Sequence, residues 1–276
     1  MKKIMVPTDF SDQAENALRV AAQLAKKGNG EIYLLHMLEL PLDLVDPASQ
    51  DTGSSIPESI YFMKLAHQRF QEIMKSDFLE GITVHETVKF HQAFEGIMEI
   101  SRENDCDMII MGSKGVSGVK EIFIGSNTEK VIRHSDIPVL VIKDNIPVFE
   151  VDNFILASDF KEDGKGSFVE AMSFARKIGA RVHLLYVNTP NRFKSSQIID
   201  ERMKAYADIS SYKNFSMNIY NDDSIEKGIL NFGKKMDAGL IGVCTHARKG
   251  LSHLLRGSIS EDVVNHAEKP VITFKI

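Results

Sequence analysis

Gly112-Ser113-Lys114-Gly115, nine residues from Val116 to Ile124, and then Gly125-Ser126-Asn127-Thr128-Glu129 form the stretch from which the fold is read. It follows Met108-Ile109-Ile110-Met111, an apolar run with the character of a buried strand, and it leads into a short helix expected to start at Ser126. Gly112 and Gly115 have no Cβ, so backbone can approach a ligand closely or take positive φ there. Gly125-Ser126 brings backbone N–H groups to a helix N-terminus, where unpaired donors and the helix dipole favour an anion such as phosphate. The purely structural alternative is a sharp loop, with Ser126 as N-cap and Glu129 closing a Ser-x-x-Glu capping box. Three glycines among 18 would mean little alone. They gain weight because Gly257-Ser258-Ile259-Ser260-Glu261 repeats the turn 132 residues later, counting from 125 to 257.

Working outward, 276 residues suit one large or two ordinary domains, and 43% hydrophobic with 26% charged residues is usual for a globular chain. A net charge of −5 argues against a general nucleic-acid or anionic-membrane binder. Cys106 and Cys244 fall in or beside apolar strands, so they read as core thiols rather than a disulfide or metal site. Met1-Lys2-Lys3-Ile4 leads straight into a strand, and no apolar run approaches the ~20 residues that span a bilayer. A cytoplasmic protein is expected.

In chain order, Ile4-Met5-Val6 is a strand ended by Pro7-Thr8-Asp9. Ser11 or Asp12 caps a helix whose apolar positions run from Ala14 to Ala25, with Gly28 and Gly30 as its stop. Ile32–Leu38 is a second strand, and Pro41–Pro57 is a polar, acidic loop. A helix fits Glu58 to about Phe78, a strand Ile82–Val88 and a helix Ala93–Glu103. Val139-Leu140-Val141-Ile142, introduced by Pro138, is the last strand. Strands alternating with helices imply a parallel sheet covered on both faces.

The order then begins again. Phe154-Ile155-Leu156-Ala157-Ser158-Asp159-Phe160 repeats Met5-Val6-Pro7-Thr8-Asp9-Phe10 at an offset of 150, from Asp9 to Asp159. Leu184–Val187 repeats Leu34–Met37 at the same offset, while the glycine loop and last strand repeat at 132. The missing residues fit the acidic loop, because Pro190-Asn191-Arg192 leads almost at once into a helix. Two copies of one domain follow, 1–146 and 147–276, with a break at Asn145-Ile146-Pro147.

Together these residues resemble the universal stress protein family in its tandem two-domain form. The specific part is Gly-x-x-Gly, nine residues, then Gly-Ser, met in full by Gly112, Gly115, Gly125 and Ser126. The resemblance implies two doubly wound five-stranded sheets of order 3-2-1-4-5, with helices on both faces, paired as a pseudo-dimer. It also implies ATP binding, with AMP and ADP as alternatives and Mg carried on the phosphates. Pro7, Thr8 and Asp9 then lie at the adenosine end, and backbone near Met37 touches adenine. Met111, Gly112 and Gly115 border the ligand, with the triphosphate against Gly125, Ser126 and Asn127. The physical reading agrees, since ligands of open parallel sheets sit beyond the strands' carboxyl ends where strand order reverses. Asp9 keeps a second reading, as a turn or cap residue before Ser11.

The second half departs from the signature, with Cys244 opposite Gly112 and Ala247 opposite Gly115. Weaker nucleotide binding or none is expected there, although Thr245-His246-Ala247-Arg248-Lys249-Gly250 is cationic. The remaining histidines show no metal-ligand spacing, and no Gly-x-x-x-x-Gly-Lys-Ser/Thr, Gly-x-Gly-x-x-Gly or Gly-x-Ser-x-Gly motif stands in the right context. A nucleotide-binding regulator is the preferred function. A slow ATPase, for which His246 and Glu121 are available to position water but are not assigned that work by the sequence, and a ligand-free structural protein are the alternatives. A receiver-type phospho-acceptor would want an aspartate at the end of the third strand, where the sequence reads Val88-Lys89-Phe90-His91. The last strands, Val139–Ile142 and Val271–Phe274, are uncharged sheet edges expected to pair antiparallel, with a further homodimer and a protein partner left open.

Overall fold

Apolar runs of four to eight residues alternate with amphipathic helices in the computed structural model, which describes residues 1–38, 55–90, 92–113, 124–245 and 259–276. The acidic loop from Pro41 to Ser54, His91, Gly115, Glu121, His246, Ala247, Gly257 and Ser258 lie outside the described residues. The chain divides into two units. The first is Met1–Gly118 with Asp144–Pro147, and the second is Val119–Lys143 with Val148–Ile276.

The first unit carries strands β1 (Lys3–Pro7), β2 (Glu31–Leu38), β3 (Thr83–Phe90) and β4 (Met108–Gly112). Its helices are α1 (Asp12–Gly28), α2 (Ser55–Ile73) and α3 (Ala93–Glu103). β1 runs parallel to β2, with Val6 beside Leu34, and parallel to β4, with Met5 beside Ile109. Ile4, Met5, Val6, Ile109 and Ile110 are fully buried, as a strand covered on both faces requires. α1 turns Ala17, Leu18, Ala21 and Leu24 inward, and Ser11 caps it by accepting from the Ala14 N–H. Its stop is Asn29, in the left-handed region at φ 47°, rather than Gly28 or Gly30. Both glycines are needed for space instead, because a Cβ on either would stand 2.7 Å from the Met1 carbonyl oxygen. The helix expected to reach Phe78 ends at Ile73, since Ser76 takes an extended conformation before a 3-10 turn at Asp77–Leu79.

The second unit carries α4 (Ser126–His134), β5 (Val139–Ile142), β6 (Asn153–Ala157), α5 (Lys165–Ile178), β7 (Arg181–Asn188) and α6 (Ser196–Ile209). It continues with β8 (Phe215–Asn221), α7 (Ile225–Lys235), β9 (Leu240–Thr245), α8 (Ile259–His266) and β10 (Val271–Lys275). Strand order is 3-2-1-4-5 in both repeats, β3-β2-β1-β4-β5 and β8-β7-β6-β9-β10. The expected edge pairing is present: β5 and β10 are antiparallel, with Leu140 opposite Ile272 and Val141 opposite Val271. The last helix and strand of the first repeat therefore group with the second repeat.

Reciprocal contacts inside the second unit reinforce that pairing. Lys275, the last residue of β10, donates to the Arg133 carbonyl at the end of α4. Lys143, its counterpart after β5, donates to the Val264 and Asn265 carbonyls at the end of α8. Each ammonium meets unpaired carbonyls at the negative pole of a helix. Arg133 also grips Glu261 through two bonds of 2.9 Å while holding Glu129 on its own helix at 3.0 Å. Glu129 pairs with Arg133 instead of closing a capping box. At α4 the N-cap is Gly125, so Ser126 is already inside the first turn and Glu129 is drawn to Arg133.

Candidate functional site

Strand order reverses between β1 and β4, and the site residues of the first unit gather at the carboxyl ends of β1, β2 and β4. Pro7 ends β1. The Thr8 N–H then bonds the Leu35 carbonyl at 2.8 Å, which carries the ladder one residue further and buries Thr8. Thr8 Oγ1 accepts from the Phe10 N–H at 3.0 Å, and Phe10 sits at φ 63°. A left-handed phenylalanine is costly, on the order of 1 kcal/mol, and the same device recurs in the second repeat. There Ser158 accepts from the Phe160 N–H at 3.1 Å, and Phe160 has φ 51°. The turn after the first strand is thus strained in both repeats, a feature that sequence reasoning missed although Phe10 and Phe160 stand at the 150-residue offset.

Asp9 follows the turn reading at one oxygen: its Oδ1 accepts from the Ser11 hydroxyl at 2.6 Å and the Ser11 N–H at 3.1 Å. In the second repeat Lys161 replaces Ser11, and its ammonium pairs with Asp159 at 2.8 Å. The two aspartates therefore sit in different electrostatic settings.

At the end of β2, His36 Nδ1 donates to the Thr8 carbonyl at 2.8 Å, with its ring 4.4 Å from Phe10. Burial pulls the His36 pKa below its ordinary value, so the ring stays neutral and its Nδ1 proton is committed. Met37 is half-buried, and its side chain lies where a Cβ of Gly96 would come, 2.4 Å from the sulfur. Val187 and Gly228 repeat this arrangement, again at 2.4 Å. The glycine of the third helix makes room for the residue at the end of the second strand. The 132-residue spacing of Gly96 and Gly228 was the available signal.

Met111 is buried in β4, and Gly112 ends the strand. Gly112 has no positive φ; its bareness serves the first turn of α1, whose Gln13 carbonyl oxygen would stand 2.9 Å from a Cβ. The Ser113 hydroxyl donates to Gln13 Oε1 at 3.1 Å, which ties the start of the glycine loop to α1. Cys244 occupies the matching place in the second repeat, where a 3-10 turn, Glu162–Gly164, precedes α5. Burial pushes the Cys244 thiol up to about 12 and the Cys106 thiol up to about 11, which favours the protonated thiol at both.

Gly125, Ser126 and Asn127 belong to the second unit. Gly125 is extended at φ −62° and ψ 147°, and as a glycine it offers no side-chain cap to the helix it opens. Ser126 is exposed and Asn127 half-buried. At α1, by contrast, the Ser11 hydroxyl occupies one of its own helix's donors, the Ala14 N–H. The Ile124 N–H, one residue before Gly125, donates to Asn265 Oδ1 at 2.9 Å.

The family model for the universal stress protein family matches residues 1–143 and again 150–275. This chain belongs to the universal stress protein family. Universal stress protein MJ0577 of Methanocaldococcus jannaschii is 35% identical over 153 residues, spanning 51% of this chain and 94% of that protein. Universal stress protein YxiE of Bacillus subtilis is 29% identical over 156 residues, spanning 51% of this chain and 98% of its own length. A solved universal stress protein from Archaeoglobus fulgidus shares the fold over 99% of this chain and 96% of its own, with a TM-score of 0.73 at 22% identity. The single-repeat relatives cover half of this chain, which agrees with the internal duplication. Among the described residues no group of His, Cys, Asp and Glu is placed to hold a metal, and no helix is long and apolar enough to cross a membrane.

Proposed function

We propose that this universal stress protein is a nucleotide-binding regulator that takes ATP through the first repeat's Gly-x-x-Gly-x9-Gly-Ser signature. The observation that carries the reading is the complete set Gly112, Gly115, Gly125 and Ser126, joined to the N-terminus of α4, which a glycine opens. Pro7, Thr8, Asp9, Met37 and Met111 supply the adenosine end, and Asn127 joins Gly125 and Ser126 at the phosphates, with Mg on the phosphate oxygens. The domains of this reading are the sequence repeats, 1–146 and 147–276, associated as an intramolecular pseudo-dimer.

The second repeat binds nucleotide more weakly or not at all. Cys244 and Ala247 stand where the signature has glycine, and Lys161 neutralises Asp159 at 2.8 Å. Calorimetry with ATP tests both statements. One high-affinity site per chain is expected, and Gly115→Val is expected to abolish it, because a branched side chain fills the phosphate's approach. Equal affinity in wild type and Gly115→Val, or two equal sites per chain, would refute the assignment. Binding without turnover in the presence of Mg-ATP is expected of a regulator, and steady hydrolysis would make it an enzyme.

A further inference from the structure

The two repeats align without a gap along their last helix and strand, and one of the positions at which they differ bears on the phosphate turn. At the 132-residue offset Glu129 corresponds to Glu261 and Lys143 to Lys275, and both pairs keep their residue type. Arg133 corresponds to Asn265, and here the type changes. Arg133 uses its guanidinium to hold Glu129 and Glu261 together. Asn265 has no such reach. Its side-chain oxygen instead accepts the backbone N–H of Ile124 at 2.9 Å, immediately before Gly125.

We infer that Asn265, on the last helix of the second repeat, is a positioning residue for the phosphate-binding turn of the first repeat. The inference rests on the nucleotide reading given above. Ile124 is buried, so its N–H has little access to water and needs an internal partner. The next residue, Gly125, is the N-cap of α4, and the Ser126 and Asn127 N–H groups that follow have no intrahelical acceptor. Anchoring the Ile124 peptide fixes the plane from which the Gly125, Ser126 and Asn127 donors project. A donor set held in place before the ligand arrives binds it without first losing backbone freedom.

α8 is itself held to serve as that anchor. The Lys143 ammonium binds the Asn265 and Val264 carbonyls, and Arg133 binds Glu261 one turn earlier. Val264 and Val263 are fully buried beneath it. The anchor therefore sits on a packed helix rather than on a loop, and the second repeat contributes to the first repeat's turn without binding nucleotide itself.

The test compares wild type, Asn265→Leu, Asn265→Asp and Met203→Ala as full-length chains. Leucine keeps the size of asparagine and removes the acceptor, while aspartate keeps an oxygen acceptor. Hydrogen exchange in nucleotide-free protein should show the Ile124 amide protected in wild type and Asn265→Asp and exchanging at least about tenfold faster in Asn265→Leu. ATP affinity by calorimetry should fall about fivefold to tenfold in Asn265→Leu, the range expected for one lost hydrogen bond. Met203→Ala lowers the melting temperature through a cavity beneath α6, away from α8, and its ATP affinity should match wild type. Full ATP affinity in Asn265→Leu, or an equal loss in Met203→Ala, would overturn the assignment of Asn265. Absence of ATP binding in the wild type would overturn the nucleotide reading instead, so the two failures are distinguishable.

Discussion

Replacing Arg133 by methionine tests whether the α4–α8 contact contributes to stability or only decorates the surface. Glu261 has 6% of its side chain exposed, and Arg133 Nε and Nη2 each lie 2.9 Å from one of its oxygens. Removing the arginine leaves a buried carboxylate without its cation, a change that costs about 3–5 kcal/mol at fully buried pairs. Arg133 is 39% exposed, so water already screens one side of the pair and the lower figure must be discounted. About 2 kcal/mol is expected from urea unfolding at neutral pH. The pair also holds the Arg133 pKa above its ordinary value, chiefly through the Glu261 hydrogen bonds, while burial opposes. Without the guanidinium the charged carboxylate is disfavoured, so the gap between variant and wild type should narrow as pH falls toward about 4.5. Glu129→Gln is the control, because its carboxylate is 43% exposed and should cost at most about 0.5 kcal/mol. A loss below about 0.5 kcal/mol in Arg133→Met, or a loss that does not change with pH, would refute the reasoning.

Two further perturbations probe the fold. Leu140→Pro puts a residue without an N–H into β5 opposite Ile272, and at least about 3 kcal/mol of destabilisation with aggregation is expected in thermal melts and limited proteolysis; a variant as soluble and protease-resistant as wild type would show that the β5–β10 pairing is dispensable. Burial lowers the pKa of His36 and of His183, which lies between Asn153 Oδ1 and Ser216 Oγ. Below the ordinary value of 6.5 the unfolded chain takes up these protons before the folded one, so stability is full above about pH 7.5 and falls as pH drops through 6.5. Urea midpoints should show that fall, with a smaller slope in His36→Gln; a midpoint that holds steady or rises on acidification would reverse the sign.

What could be read from the sequence divides along a physical line. Strands β1, β4, β5 and β10 were legible because both faces are buried, so the pattern is a bare apolar run bounded by Pro or Gly. The edge pairing followed from the same fact, since Val139–Ile142 and Val271–Phe274 are uncharged and apolar apart from Thr273. Caps were misread where two chemistries compete for one residue. Ser126 looked like an N-cap, but Gly125 takes that place, and Glu129 prefers a guanidinium four residues on to the backbone of its own helix. Gly112 was legible as a place where backbone approaches closely. Its neighbour in this structure is Gln13, and a single sequence does not reveal which segment makes the approach. The strained Phe10 turn and the Met37–Gly96 fit depend on contacts between elements 59 residues apart or on φ, neither of which leaves a local pattern.

Duplication explains why the second repeat can diverge at its glycines and still be kept. In each repeat the last helix ends on a lysine from the other, Lys275 on α4 and Lys143 on α8. That exchange makes the fold of each terminal segment conditional on both copies. Cys244 lies on β9 beside Phe274 of β10, within the second repeat, whereas a change at Glu261, Asn265 or Lys275 reaches α4 and the residue before Gly125. The two kinds of position are therefore free to follow different constraints. The constraint on α8 and β10 is to hold the turn that opens α4, and substitution of Asn for the counterpart of Arg133 is where the duplicated sequence carries that division of labour.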